Sequence, residues 1–303
     1  PNMMNTGYDK ETAVGVTAAS STIGVIIPPS IPMIVYAGLT NAPIAALFVA
    51  GIVPGVLIGL GMMLVVYVMS FKRGYPKYQK TTMPQFLKLL LDTIPALLTP
   101  VIIIGGIVTG WYTATEAAAF ACLYALVISM FVYRTLTLRD LPTVLIETLK
   151  LSSLSLFALA AASALGELLG YYRVATAAEA FFTTYITSPW IFMTIVIAFF
   201  LFIGTFMDAI PAMILFIPVL LPISLKLGID SVLLGIVTVI TLAIGLITPP
   251  YGLCLLIASS IGNLPIERSF KAVLPYLAVI LVVLVFVAYF PDLSMMLPRM
   301  MSK

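Results

Sequence analysis

The sequence predicts an all-α polytopic membrane protein built as an inverted repeat, with one re-entrant hairpin and two broken helices. Three observations carry this. Of the 303 residues, 62% are hydrophobic and 9% charged, at a mean hydropathy of +1.17, whereas about a quarter of a soluble domain is charged. A pattern is stated twice, as Gly24-Val25-Ile26-Ile27-Pro28-Pro29 and Gly245-Leu246-Ile247-Thr248-Pro249-Pro250. A proline pair removes two backbone donors and clashes with the preceding turn, so each GxxxPP interrupts its helix at membrane depth. Finally, the basic residues collect in alternate loops, as the positive-inside rule requires.

The duplication reaches well past the prolines. At one constant offset Gly7-Tyr8-Asp9 answers Gly228-Ile229-Asp230, Thr17 answers Thr238 and Ser20 answers Thr241. Asn41-Ala42-Pro43-Ile44 then pairs with Asn263-Leu264-Pro265-Ile266 after a slip of one residue, and Pro54 pairs with Pro275. Several colinear matches of this kind mark a duplicated unit. The chain begins at Pro1, in the segment that corresponds to Pro222, and lacks a first copy of the stretch from Ser188 onward. It is therefore expected to be the C-terminal part of a larger polypeptide, short of at least roughly 34 residues.

In chain order, residues 11–27 form a half-helix that stops at the first proline pair, and 30–40 continue it. A full span follows from about Ala45 to Ser70, enough for a hydrocarbon core of about 30 Å. A basic loop with Lys72, Arg73, Lys77, Lys80 and Lys88 comes next. Leu89 to Gly110 and Ala117 to Tyr133 make two spans joined by a short polar turn, and Arg134, Arg139 and Lys150 mark the following loop. Two intervening spans are what two cytoplasmic loops require. From Leu151 a span leads outward to Arg173, and the amphipathic stretch from Ala175 to Thr187 reads as an interfacial arm. Residues 189–225 are apolar on both sides of Gly204-Thr205-Phe206-Met207-Asp208, which makes a hairpin with a polar tip. The second broken helix, 229–247 and 251–261, then runs inward to Arg268 and Lys271. The copies thus point opposite ways, the arrangement of secondary transporters.

The net charge of +3 belongs to loops rather than to a basic face, which leaves nucleic acid out as a partner. The chain has no His, and Cys122 and Cys254 sit in apolar stretches as packing residues. No zinc site and no nucleophile with a base beside it is offered, so an enzyme is not expected.

An unwound segment bares carbonyls and amides that lipid cannot satisfy, whereas a cation and a substrate can. Carbonyls from Gly24 to Ile27 and from Gly245 to Thr248, with the hydroxyls of Ser20, Ser21, Thr22 and Thr241, offer the neutral oxygen cage that suits sodium. Gly204 and Thr205 of the hairpin tip complete the expected sodium ligands. The half-helix starts after Pro29 and Pro250 favour an anion. Ser30 and Tyr251 hold equivalent positions just past each break and are expected to face it. Asp208 at the hairpin tip is the one acid placed deep in the membrane, where an unpaired charge costs at least about 2.5–3.5 kcal/mol. Sodium, a proton, or a substrate hydroxyl or amine would each serve as its partner; capping the second hairpin arm is the plain alternative.

Ala18-Ala19-Ser20-Ser21-Thr22-Ile23-Gly24 leading into Ile27-Pro28-Pro29-Ser30-Ile31, the turn Gly110-Trp111-Tyr112-Thr113-Ala114-Thr115-Glu116, and Thr248-Pro249-Pro250-Tyr251-Gly252 together resemble the large membrane subunit of the tripartite ATP-independent periplasmic (TRAP) transporters. Ala114 stands where that family often has proline. The resemblance implies sodium-coupled uptake of an organic acid across a bacterial inner membrane, with at least two Na+ ions. It also implies a small membrane subunit, separate or fused, and a periplasmic substrate-binding protein that delivers the solute. An elevator-type motion would carry a transport domain, residues 1–44 and 188–262, against a scaffold of residues 45–187 and 263–303. Carried over by motif, Ser30 and Asp208 touch substrate and the breaks hold sodium. Dicarboxylates, keto acids and sialic acid are the family's solutes; sialic acid leads here, because Asp208 would repel a simple dianion but accept hydrogen bonds from a polyol. A carboxylate symporter without a binding protein shares the inverted repeats, and an ion channel would need a continuous pore.

Overall fold

Proline, glycine and capping residues set where each helix begins and ends. A computed structural model describes residues 2–75 and 82–301, so Lys77 and Lys80 of the basic loop lie outside the described residues. Every regular element among the described residues is a helix: α1 Asn2–Asn5, α2 Lys10–Ser21, α3 Ile23–Ile26, α4 Ile31–Thr40, α5 Ile44–Arg73, α6 Met83–Val108, α7 Ala114–Val127, α8 Leu141–Tyr171, α9 Val174–Tyr185, α10 Pro189–Gly204, α11 Ala209–Lys226, α12 Ser231–Gly245, α13 Leu253–Gly262, α14 Ile266–Tyr289 and α15 Asp292–Met301. A π-helical turn, Ile128–Val132, ends the α7 span. Among the described residues seven segments are long and apolar enough to cross a membrane. The chain is a polytopic all-α membrane protein, and both expected interruptions and the hairpin are present.

Two helices start earlier than their apolar stretches do. At α6, expected from Leu89, the Thr82 N–H donates to Gln85 Oε1 at 3.2 Å in a capping box. At α8, expected from Leu151, the Asp140 carboxylate takes the Thr137 N–H at 2.9 Å and the Asp140 carbonyl takes the Val144 N–H at 3.0 Å. Hydropathy marks the part of a helix that lies in hydrocarbon, while caps mark the helix itself.

The chain forms two compact units, Pro1–Pro76 with Ala162–Lys303, and Lys77–Ala161. In the smaller unit α6 and α7 pack together across a tight turn closed by a second capping box: the Thr113 N–H donates to Glu116 Oε2 at 2.8 Å, and the Glu116 N–H donates to Thr113 Oγ1 at 3.3 Å. Ala114 occupies the first helical position there, so the box holds the turn without proline. Tyr124 and Tyr133 each donate a hydroxyl to an α6 carbonyl, of Pro95 at 2.9 Å and Asp92 at 2.7 Å.

In the larger unit α12 is the centre. It is apolar all round and buried from Val232 to Gly245, as a helix walled by others must be. Orientation follows from contacts at the ends. Val14, near the start of α2, packs against Gly262 at the end of α13. The Tyr36 hydroxyl of α4 donates to the carbonyl of Ser231, the first residue of α12, at 2.6 Å. The start of each broken helix thus meets the far part of the other, so the two copies are antiparallel.

The unit's two ends also differ chemically. Pro189, Asp230, Ala288, Pro291 and Arg299 line a cavity of about 220 Å³ at one end, where Trp190 stacks on Tyr289 with centroids 5.7 Å apart. Aromatic rings of this kind suit the membrane interface. At the other end Arg73, Arg268 and Lys271 share one surface pocket, which gathers the residues expected on the cytoplasmic side. Asp9 caps α2 there by accepting the Thr12 N–H at 3.0 Å. It also accepts Arg73 Nη1 at 2.5 Å and the Tyr75 hydroxyl, which clasps α2 to the end of α5. Burial raises the Asp9 pKa, but the bonds from Tyr75, Arg73 and Thr12 outweigh it and hold the carboxyl well below the usual range. A depressed carboxyl contributes stability that is complete above its unfolded pKa, near 4, and lost as the pH falls. Asp9→Asn is therefore expected to lower the thermal midpoint in detergent by about 2 °C. The gap from wild type should stay constant from about pH 8 to 5 and narrow below about pH 4; a gap that persists unchanged into acid would assign the effect to something other than this carboxylate.

Candidate functional site

Each break is a problem in satisfying peptide groups. Pro28 and Pro29 have no N–H, so the carbonyls of Gly24 and Val25 lose the donors that a continuing helix would supply. Ser30 meets one of these needs: its hydroxyl donates to the Val25 carbonyl at 2.6 Å, while its Oγ accepts the Met33 N–H at 3.4 Å and caps α4. Ser30, expected to face a ligand, is buried in this role. Before the break Ser20 and Ser21 donate to the Thr17 carbonyl at 3.3 and 2.8 Å, and Thr22 to Ala19 at 2.7 Å. A hydroxyl that donates to backbone keeps lone pairs free for a cation. Ile27 leaves the helix in extended conformation, and Gly24 and Pro29 are exposed.

The second break satisfies itself differently. Pro249 and Pro250 remove the donors for Gly245 and Leu246. The Leu246 carbonyl is reached instead from beyond the break, by the Cys254 N–H at 2.9 Å, and the Gly245 carbonyl accepts the Thr248 N–H at 3.1 Å. Thr241 and Thr248 donate to Val237 and Ile244 at 2.6 and 2.8 Å. The Pro28–Pro29 and Pro249–Pro250 peptides are both cis.

The hairpin α10–α11 docks its tip on this second break. The Tyr251 N–H donates to the Thr205 carbonyl at 2.8 Å, and Gly204 approaches Gly245 so closely that a Cβ on Gly245 would stand 2.3 Å from the Gly204 carbonyl oxygen. Thr205 donates its hydroxyl to Phe202 at 2.7 Å. Asp208 stands at the N-cap of α11, and its carbonyl accepts the Ala212 N–H at 3.2 Å, yet its carboxylate makes no capping bond. The carboxylate instead lies close enough to Tyr251 and Cys254 to act on both electrostatically. Ser21, from the first copy, lies near the Cys254 side chain, on helices α2 and α13 that pack together.

The structure therefore brings Gly204, Thr205, Asp208, Gly245, Thr248, Tyr251 and Ser21 into one region. Ser20, Thr22, Gly24, Ile27, Pro29 and Ser30 are held by the first break, Pro250 is exposed at the second, and Thr241 is buried one turn before it. Cys254, read from sequence as a packing residue, also lies in this region, on the first turn of α13. Among the described residues no group of three His, Cys, Asp or Glu could hold a metal. Neutral oxygens dominate, the donor set that hard monovalent cations accept.

Opposed broken helices with a hairpin tip between them define the chain as a secondary transporter built from inverted repeats. Residues 1–293 match the family model for the tripartite ATP-independent periplasmic transporter, DctM component. The chain is 37% identical over 297 residues to the C4-dicarboxylate TRAP transporter large permease protein DctM of Pseudomonas aeruginosa, covering 98% of this chain and 70% of that protein. It is 36% identical over 299 residues to the sialic acid TRAP transporter large permease protein SiaM of Vibrio cholerae, covering 99% and 70%. The same identity and length hold for the sialic acid TRAP transporter permease protein SiaT of Haemophilus influenzae, of which the chain spans 48%. The chain belongs to the DctM family of TRAP transporter large permeases.

The contact between Gly204 and Gly245 leaves no room for a side chain. Gly245→Ala is expected to push the hairpin tip off the break and lower the thermal midpoint by about 2–4 °C, the equivalent of about 1 kcal/mol. A variant with the wild-type midpoint would show that the tip is not docked there.

Proposed function

We propose that this chain carries the transport path of a sodium-coupled TRAP system that imports an organic acid across the bacterial inner membrane. One observation carries the reading. Asp208 holds a cap position at a hairpin tip docked on the second break, and its carboxylate is not spent on the cap. The names of the relatives support transport, and they span C4-dicarboxylate, sialic acid, isethionate and 2,3-diketo-L-gulonate. A hydroxyl-bearing monocarboxylate fits Asp208 best, since that carboxylate accepts hydrogen bonds from hydroxyls and repels a second acid. Sialic acid is the leading candidate.

In this reading the carbonyls and hydroxyls at the two breaks, with Gly204 and Thr205, coordinate at least two sodium ions, while Asp208 and Tyr251 orient the solute. The hairpin and the broken helices, residues 1–44 and 188–262, move together as one body in an elevator-like cycle against the remaining spans. The bond from Tyr251 to Thr205 ties hairpin to break, and sodium adds a second tie that forms only when the ion is bound. A periplasmic binding protein supplies the solute and a small membrane subunit, separate or fused, braces the assembly.

Removing a carboxylate that caps nothing leaves the fold intact. Asp208→Ala should keep the wild-type thermal midpoint and lose uptake by about 30-fold or more, the cost of deleting one partner of a desolvated charge contact. Thr248→Ala should raise the sodium concentration for half-maximal uptake by about tenfold. Both are measured with the complete transporter in liposomes, with and without its binding protein, under an imposed sodium gradient. Wild-type uptake in Asp208→Ala removes that residue from the site, an unmoved sodium dependence counts against Thr248, and uptake that needs no binding protein favours a simple symporter.

A further inference from the structure

We infer that the seam between α5 and α14 is a binding site for one anionic phospholipid of the cytoplasmic leaflet. This goes beyond the transport reading and does not depend on it. Two cavities lie along the seam. The first, of about 240 Å³, sits at the cytoplasmic end and is lined by Glu11, Thr12, Met69, Arg73, Arg268 and Lys271 among others. The second, of about 540 Å³, is an apolar groove lined by residues that include Leu57, Gly61, Ala278, Val282 and Phe286.

The two are successive parts of one surface. On α14, Arg268, Lys271, Pro275, Ala278, Val282 and Phe286 recur every three or four residues, which keeps them on one face. On α5, Leu57, Gly61, Met69 and Arg73 recur in steps of four and eight and do the same. Measured from Lys271, the α14 lining of the trough runs from about 10 Å deep at Ala278 to about 22 Å deep at Phe286, so it reaches past the centre of a hydrocarbon core whose half-thickness is about 15 Å. A cationic mouth at the interface and an apolar trough that continues to the bilayer centre match a headgroup and an acyl chain. The exposed cations at the mouth are what a phosphate headgroup uses, and they favour a lipid as the occupant.

The charge balance favours a phosphate. Arg73 is engaged by Asp9, but Arg268 and Lys271 are exposed and form no ion pair among the described residues. Three cations face one lining acid, Glu11. Lys and Arg near an anionic surface each contribute about 1 kcal/mol to attraction, so two free ones correspond to about 30-fold in affinity.

The test uses the complete protein in neutral detergent, titrated with phosphatidylglycerol, with phosphatidylcholine of the same chains, and with inorganic phosphate, while thermal unfolding is followed. Phosphatidylglycerol is expected to raise the midpoint, and the other two to leave it in place. Arg268→Gln with Lys271→Gln should weaken the phosphatidylglycerol response about 30-fold. Ala278→Trp, which fills the trough but leaves the cations, should weaken it as well. Lys271→Gln alone, at an exposed and unpaired position, covers the case in which the double variant fails to fold. An equal rise with phosphatidylcholine, a rise with phosphate alone, or a full phosphatidylglycerol response in the charge or the trough variants would each overturn the assignment.

Discussion

No peptide group inside a bilayer can be left without a partner, and this single constraint accounts for most of what the chain does with its prolines. Each proline pair strips donors from two carbonyls in mid-membrane. A protein that kept such pairs only as kinks would cover the carbonyls with neighbouring side chains. Here the cover is partial and differs between copies. Ser30 closes one carbonyl of the first break from within its own segment. The second break reaches forward to Cys254 for one bond and lends the Tyr251 N–H to the hairpin for another. A carbonyl that accepts one hydrogen bond keeps a second lone pair, so each break still sets oxygens beside a gap in the helix.

The antiparallel setting of the copies multiplies that effect. Because the start of α2 lies beside the end of α13, and the start of α12 beside α4, both breaks fall near the same depth. α2 of one copy then packs against α13 of the other, which sets Ser21 near Cys254. A pair of parallel copies with the same loops would place the two breaks on unrelated levels. Two-fold antiparallel packing is therefore what turns two local defects into one region, and close approaches such as Val14 against Gly262 are what permit it.

Much of this was legible in the residues. Pro28-Pro29 and Pro249-Pro250 mark the breaks because proline chemistry is local. Gly204 to Asp208 marks the hairpin tip because a polar run that ends in an acid is costly at the centre of a straight span and cheap at a turn. The less legible parts depend on where a loop turns. Ser30 and Tyr251 are equivalent by position, yet one points its hydroxyl inward to Val25 and the other meets the hairpin through its backbone. Periodicity carries no information on that choice. The starts of α6 and α8 lie before the apolar stretches that hydropathy detects, because their opening segments mix polar residues such as Gln85, Lys88, Thr143, Glu147 and Lys150 with apolar ones. The role of Cys254 is set by a bond back to Leu246, eight residues earlier, and no helical spacing encodes such a return.

Asp208 shows how magnitudes separate the two readings of one residue. An N-cap carboxylate stabilises a helix by about 1 kcal/mol, whereas a charge at membrane depth costs at least about 2.5–3.5 kcal/mol on the mildest scale. Serine or threonine would supply the cap without the charge. Capping alone therefore cannot account for an aspartate at this place, even if the bond were made, and the carboxylate makes none. In the proposed transport reading a cation or a solute hydroxyl arriving between the hairpin tip and the second break would give that carboxylate a partner. On that reading one binding event offsets the electrostatic cost of the acid beside a backbone that has been re-routed by prolines, which is a physical reason for the acid and the break to occur side by side.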